Sequence, residues 1–315
     1  MNKNSHIFIA GHKGLVGSAV VKNLTDKGYV NLYYQTKKTL NLKNTNKVEN
    51  YFKKNKIEYL IMSAALAGGI LANQKYPVEF FNENILIQNS LLNTALKLKI
   101  KRTIFLGTSC IYPNNVRTPI KESSLLAGKL HPTNEAYAIA KIAGIKLCEA
   151  IYNQYKLDVV AVMPTNLYGP NDRYDKVFSH VIPAMLLKFI NAKKKKLKKV
   201  EIWGNGTPLR EFLYSGDLAE AIYLILKSSQ KKLIKISGNN FPLINIGSNE
   251  IYSIRDLAYL IKSKIGYQGG IYFNKNFPNG VFRKELDSSR IKKIGWKPNI
   301  NLSKGLDILL KEINF

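Results

Sequence analysis

His6-Ile-Phe-Ile-Ala10-Gly-His-Lys-Gly-Leu-Val-Gly17-Ser-Ala-Val-Val-Lys-Asn-Leu24 joins an apolar run, a turn with glycine at every third position, and a helical run. The apolar run is short and lacks polar alternation, as expected of a strand covered on both faces. Gly28 marks the end of the helix, and Asn31-Leu-Tyr-Tyr-Gln35 reads as a second strand. Strand, turn, helix and strand in that order belong to a parallel sheet with helical crossovers. Gly11, Gly14 and Gly17 permit the tight turn, let backbone approach a pyrophosphate, and let the helix lie close to the strand. Their spacing differs from the commoner Gly-x-Gly-x-x-Gly, but the physical demand is similar. The helix behind them offers free N–H groups to phosphate. The expected fold class is α/β: a doubly wound parallel sheet of Rossmann type, with a smaller C-terminal α/β part.

The end of the second strand bears on which dinucleotide binds. A site selective for NAD places a carboxylate there for the ribose hydroxyls. Here the run is Gln35-Thr-Lys-Lys38, without one. Lys13, Lys37 and Lys38 are suited to a 2′-phosphate, so NADP is expected.

The alternation continues with a helix from Lys47 to Lys54, the strand Tyr59-Leu-Ile-Met-Ser63, and the small-residue turn Ala64-Ala-Leu-Ala-Gly-Gly69. Small residues after a strand suggest backbone passing close to a ligand. A helix from about Phe80 to Leu98 leads to the strand Arg102-Thr-Ile-Phe-Leu106 and then Gly107-Thr-Ser-Cys-Ile-Tyr-Pro113. Ligands of open parallel sheets lie at the carboxyl ends of the strands, which puts Thr108, Ser109 and Cys110 where chemistry is expected. A helix then starts near Thr133 or Asn134, either of which can cap it. Tyr137 and Lys141 are four apart on it and share a face, with roughly 5–6 Å between Cβ atoms. An ammonium beside a phenol favours phenolate, which would lower the tyrosine pKa toward useful acid–base work. After the strand Asp158–Met163 and the turn Pro164-Thr-Asn-Leu-Tyr-Gly-Pro170 the regular alternation loosens. A cofactor domain over 1–170 and a mainly substrate-binding domain over 171–315 are expected, some later segments returning to the first.

Composition excludes more than it assigns. The 315 residues carry a net charge of +27, but the lysines run along the whole chain rather than clustering with stacking aromatics, which argues against nucleic-acid recognition. The densest run, Lys193-Lys-Lys-Lys-Leu-Lys-Lys199, reads as a solvated loop. There is no run of 18 apolar residues and no signal-peptide pattern, so no membrane association is expected. Two cysteines, Cys110 and Cys148, make no disulfide framework, which suits a reducing cytoplasm.

Taken in order, the glycine turn, Thr108, Tyr137 and Lys141 resemble the extended short-chain dehydrogenase/reductases that act on nucleotide sugars. The likeness runs over nearly the whole chain and is most specific at Phe8–Ser18, Gly107–Pro113, Pro132–Glu149, Met163–Pro170, Ser179–Ala184 and Trp203–Leu213. It implies an NADP-dependent enzyme that epimerises GDP-4-keto-6-deoxy-D-mannose at carbons 3 and 5 and then reduces the 4-keto group. Relatives handling another GDP-4-keto sugar, of the 6-deoxy-heptose or colitose type, use similar machinery and stand as the alternative.

The resemblance also implies roles. Tyr137 gives a proton to the 4-keto oxygen, Lys141 lowers the tyrosine pKa and holds the nicotinamide ribose, and Thr108 replaces the usual serine. On residue type alone Cys110 is a small buried hydrophobe and His180 a core or cap residue; the resemblance makes them the epimerisation base and acid. Cofactor contacts fall on Gly11, His12, Lys13, Gly14, Leu15, Val16, Gly17, Lys37, Asn41, Leu42, Ala64, Ala65, Leu106, Gly107, Lys141, Pro164, Thr165, Asn166, Leu167 and His180. Substrate contacts fall on Lys188, Trp203, Arg210 and Asn279, the last standing where the family usually has aspartate. No metal is implied. A homodimer formed through helices of the cofactor domain is. A catalytically silent nucleotide-binding protein would show a broken catalytic set, and here the set is intact.

Overall fold

Ile7, Phe8, Ile9 and Ala10 are all buried, and they form β1 (Ile7–Ala10). The structure, a computed structural model, describes residues 1–277 and 280–313. Five more strands join β1: β2 (Leu32–Tyr33), β3 (Tyr59–Met62), β4 (Arg102–Leu106), β5 (Val159–Pro164) and, from far along the chain, β9 (Leu243–Ile246). The order is β2-β1-β3-β4-β5-β9, every pair parallel. The chain steps one way from β1 to β2 and the other way from β1 to β3. The crevice at their carboxyl ends is therefore the topological switch point where open α/β sheets hold ligands.

Side chains alternate across β1, so Phe8 and Ala10 enter one core layer and Ile7 and Ile9 the other. The first layer is closed by α2 (Thr45–Lys54), α4 (Pro77–Lys97) and α5 (Glu135–Tyr155). The second is closed by α1 (Leu15–Asp26) and α7 (Ser215–Lys227), which lie against each other. Helices on both faces make the sheet doubly wound.

A third cluster gathers around α6 (Val181–Lys194), α9 (Ile254–Ile265) and α11 (Leu302–Glu312). Here β6 (Asn166–Tyr168), β8 (Leu209–Tyr214), β10 (Ile251–Ser253) and β12 (Arg283–Lys284) form a small mixed sheet, and β7 (Lys199–Trp203) pairs in parallel with β11 (Gly270–Asn274). The short helices α3 (Ile70–Lys75), α8 (Gln230–Ile236) and α10 (Ser289–Lys292) fill connections.

Some expected boundaries move. β2 is only two residues long. The helix expected from Phe80 starts at Pro77, since proline suits a first helical turn whose N–H needs no partner. Neither Thr133 nor Asn134 caps α5 with its side chain; a 3-10 turn over Pro132–Asn134 leads in, and the His131 ring accepts from Thr133 N. The basic run is not a loop throughout, because Lys193 and Lys194 close α6 and Lys199 opens β7. Lys193 donates to Ile265 O at 2.6 Å.

Candidate active site

The first wall of the crevice is the glycine turn. A Cβ on Gly17 would stand 2.1 Å from Gly11 O, and one on Gly11, whose φ is +86°, would stand 2.7 Å from Ala64 N. The turn thus lies against both α1 and the backbone after β3, closer than any side chain permits. Gly14 caps α1 without a side-chain bond, and the first turn of α1 holds no acidic residue. Its leading N–H groups and positive dipole end fit a pyrophosphate. Lys13 and Gly14 are exposed, whereas Val16 and Gly17 are buried in the helix–sheet contact.

Beside it, His12 stacks on Tyr34 at 4.5 Å, and burial followed by the Lys13 charge lowers the imidazole pKa. Lys37 is largely exposed, 3.9 Å from Glu83 of α4, which also takes Lys43. This carboxylate was not foreseen. Exposed pairs are worth only about 0–1 kcal/mol, so Lys37 stays free to meet a phosphate. Asn41 and Ala65 are exposed, while Leu42 and Ala64 lean on the core.

The turn after β3 also makes a close approach within the protein. Gly69 N donates to Phe178 O at 3.1 Å, and a Cβ on Gly69 would stand 2.5 Å from Ser179 O. The backbone drawn so close is the segment leading to His180, which caps α6. Phe178 also stacks on Phe80 at 6.3 Å, and Phe80 meets the Tyr137 ring edge-on at 6.0 Å. These aromatics join the His180 segment to the helix carrying Tyr137. Burial keeps the His180 imidazole below its ordinary 6.5.

Tyr137 and Lys141 lie one turn apart on α5, as their spacing requires, but burial shifts the phenol the other way from the expectation. Lys141 is buried and donates to Leu106 O at 2.9 Å, with its ammonium 5.1 Å from the Phe105 ring centre. Burial pulls its pKa down to about 8. Burial, and then the charge of Cys110, push the Tyr137 phenol up rather than down. Desolvation outweighs helical neighbourhood here: the charge of Cys148 only partly offsets it at Lys141, and at the phenol the charge of Cys110 adds to it.

Cys110 sits in a 3-10 turn over Ser109–Ile111 just beyond β4, and the Thr108 hydroxyl accepts its N–H at 3.2 Å. Its half-buried sulfur accepts from Lys284 Nζ of β12 at 3.5 Å. Arg210 of β8 is the partner of Lys284 across the strand pair. Burial holds the Arg210 guanidinium down to about 10, partly countered by Cys110. Cys148 is buried and pushed up.

Gly107, Pro164 and Thr165 are buried, and the Asn166 amide donates to Glu211 O at 2.9 Å. Leu106 and Leu167 pack against the second core layer. Lys188 and Trp203 form a separate group: the ammonium lies 4.9 Å from the indole and the indole stacks on Phe277 at 4.4 Å. Lys188 also donates to Glu201 O at 2.9 Å. Asn279 lies outside the described residues. No cluster of metal-ligating side chains occurs among the described residues, and no helix there is long and apolar enough to cross a membrane.

The family model described as NAD dependent epimerase/dehydratase matches residues 7–247. The chain belongs to the NAD dependent epimerase/dehydratase family. Among its relatives, GDP-L-fucose synthase 1 of Arabidopsis thaliana is 44% identical over 97% of this chain and 92% of its own length. GDP-L-fucose synthase of Escherichia coli is 42% identical over 95% of this chain and 94% of its own. A GDP-mannoheptose C4 reductase from Campylobacter jejuni, solved with NADP bound, superposes with a TM-score of 0.89 at 36% identity, covering 100% of both chains.

This epimerase/dehydratase chain adds residues that its sequence did not single out. Lys284 is one; so is Glu211, whose fully buried carboxylate accepts Asn249 N at 2.7 Å and Leu286 N at 3.0 Å. Glu211 follows Arg210 inside one of the specific runs, so a signal existed. Lys284 had none.

Proposed function

We propose that the protein is an epimerase–reductase that converts GDP-4-keto-6-deoxy-D-mannose to GDP-L-fucose with NADPH. The observation that carries this reading is Cys110, a half-buried thiol beside Thr108 with a cation against its sulfur. A plain ketone reductase needs no such base. The identity of 44% with a GDP-L-fucose synthase along nearly the whole chain supports the sugar.

NADPH supplies a hydride. The turn Gly11–Gly17 and the start of α1 would hold its pyrophosphate, Lys13, Lys37 and Lys38 its 2′-phosphate, and the ends of β3, β4 and β5 its nicotinamide side. Residues 1–170 do this work, with β9 and α7 completing the sheet, while 171–315 chiefly bind the sugar nucleotide. Cys110 takes the proton from a carbon beside the ketone and His180 returns one to the opposite face, because enolate formation makes such protons labile. Thr108 and Tyr137 hydrogen-bond to the 4-keto oxygen, and Tyr137 gives up its proton there. The Lys141 ammonium then offsets the phenolate left behind. Arg210 suits the diphosphate, and Lys188 with Trp203 a base or sugar face.

A cytoplasmic location suits a working thiol. Exposed Val78, Phe81, Leu86 and Ile139 on α4 and α5 favour a homodimer through that face, which light scattering tests. The decisive assay supplies GDP-4-keto-6-deoxy-mannose and NADPH in deuterated water. GDP-L-fucose labelled at carbons 3 and 5 is expected; an unlabelled rhamnose-type product overturns the reading. The likeness to a GDP-mannoheptose reductase favours a second one, reduction of another GDP-4-keto sugar, and competition between the two ketones separates them.

A further inference from the structure

An ordinary thiol, with a pKa near 8.5, is only a few per cent ionised at neutral pH and is correspondingly weak as a base. What surrounds Cys110 is therefore decisive. Lys284 Nζ lies 3.5 Å from its Sγ, brought there from 174 positions along the chain.

The segment that delivers Lys284 is fastened at several points. β12 runs parallel to β8, with Lys284 opposite Arg210. Beyond it, Ile120 N donates to Glu285 O and Asp287 N to Ile120 O, both at 2.8 Å, which ties the strap to the chain following Cys110. Leu286 N donates to the buried Glu211 carboxylate at 3.0 Å. A lysine on a solvated loop would have none of these restraints.

Around the sulfur stand Lys284 from β12, Arg210 from β8, Thr108 from its own turn and Tyr137 from α5; His131 faces the same two cations. The two charged side chains in that group are both positive.

We propose that Lys284 is the positioning residue that holds Cys110 as a thiolate before any sugar arrives. Its purpose rests on the epimerase–reductase reading, but its test does not. Burial alone would push the thiol up. The Lys284 charge, hydrogen bonds from Thr108 and Lys284, and the Arg210 charge outweigh burial and bring the thiol below its ordinary value. In the epimerising step the thiolate lone pair takes the proton from the carbon beside the ketone. The C–H electron pair moves into the carbonyl to give the enolate, and His180 delivers its proton to carbon from the other face. Cys110 then releases its new proton to solvent and His180 regains one, restoring both groups. Lys284 touches none of the reacting atoms except through the sulfur.

The test measures iodoacetamide alkylation against pH on the full chain without ligands. Cys148 is buried and pushed up, and Cys110→Ser supplies the blank. The wild-type midpoint is expected below 9. Lys284→Met should raise it by about one to two units, as expected on removing an adjacent opposite charge, and Lys284→Arg should restore it. Coincident midpoints for Lys284→Met and wild type overturn the proposal. Should Lys284→Met not fold, Lys284→Gln, which keeps length without charge, is read by the same criterion. With substrate, deuterium entry in Lys284→Met should fall about 10–100-fold at neutral pH and recover as pH rises; a loss equal at every pH marks a structural role only and also overturns it. Failure of the product assay alone would instead strike the proposed function, since alkylation does not depend on turnover.

Discussion

The two halves of the candidate site are assembled differently. Tyr137 and Lys141 stand on one helix, four residues apart, whereas Cys110 and Lys284 meet across 174 positions through a strand pair. In the first pair Lys141 is buried and Tyr137 half-buried, and desolvation drives the phenol up and the ammonium down to about 8. In the second pair Lys284 Nζ stands 3.5 Å from the sulfur, and the thiol is shifted down despite its burial. Helical spacing supplies nearness, but the surrounding medium sets protonation. Burial thus governs the Tyr137–Lys141 half, while a neighbouring charge governs the Cys110–Lys284 half.

Two replacements should pull the halves apart with the largest effects. Tyr137→Phe should slow hydride transfer by about 10²–10⁴-fold, the usual worth of a positioned acid, while deuterium still enters carbons 3 and 5. NADPH absorbance and mass spectrometry read the two separately, and equal loss of both breaks the division. Cys110→Ala should do the reverse: deuterium entry falls by a similar factor, and reduction of an already epimerised ketone persists.

Acidity should distinguish the halves next. The Lys141 pKa is depressed, so its ammonium is present below about 8 and lost above it. Reduction of an epimerised ketone at limiting NADPH should therefore decline as pH rises through that value. Epimerisation needs thiolate, gained as pH rises through the lowered Cys110 value, and imidazolium, gained as pH falls through the lowered His180 value. Between those two values the competent fraction is small but constant. A plateau with falling limbs is expected, and a single limb would remove His180 from its role.

Smaller effects should follow at Glu211 and Lys37. Glu211→Gln should cost about 1–3 kcal/mol of stability by thermal melting, since one buried N–H loses its charged acceptor. It should also weaken epimerisation more than reduction, because the strap carrying Lys284 hangs on that carboxylate. Lys37→Ala should shift the kcat/KM ratio toward NADH by about tenfold or less, the worth of one charge-assisted hydrogen bond of about 1.5 kcal/mol.

What could be read in advance follows the same division. The strand–turn–helix at residues 6–24 was legible because periodicity and glycine spacing are local properties. The crevice position of Thr108 and Cys110 followed from strand direction alone. The Tyr137–Lys141 spacing was legible, but not its protonation, which depends on Phe80, Phe105 and Leu106 closing around it. Ala64–Gly69 announced a close approach, yet not that the partner is the chain before His180. Lys284 was hidden among 48 basic residues, since a lysine beside a thiol and one in solvent have the same letter. Glu211 lay inside a run that the resemblance marked, yet buried carboxylates are rare, so a glutamate there is first read as solvated.

The strap over Cys110 has a consequence for the newborn chain. Ribosomes add about 5–20 residues per second, so Cys110 is made roughly 9–35 s before Lys284. Throughout that interval the nascent sulfur has no Lys284 beside it and ionises as an ordinary exposed thiol. If Lys284 sets the charge of the sulfur, Cys110 becomes a base only after β12 has been made and has paired with β8.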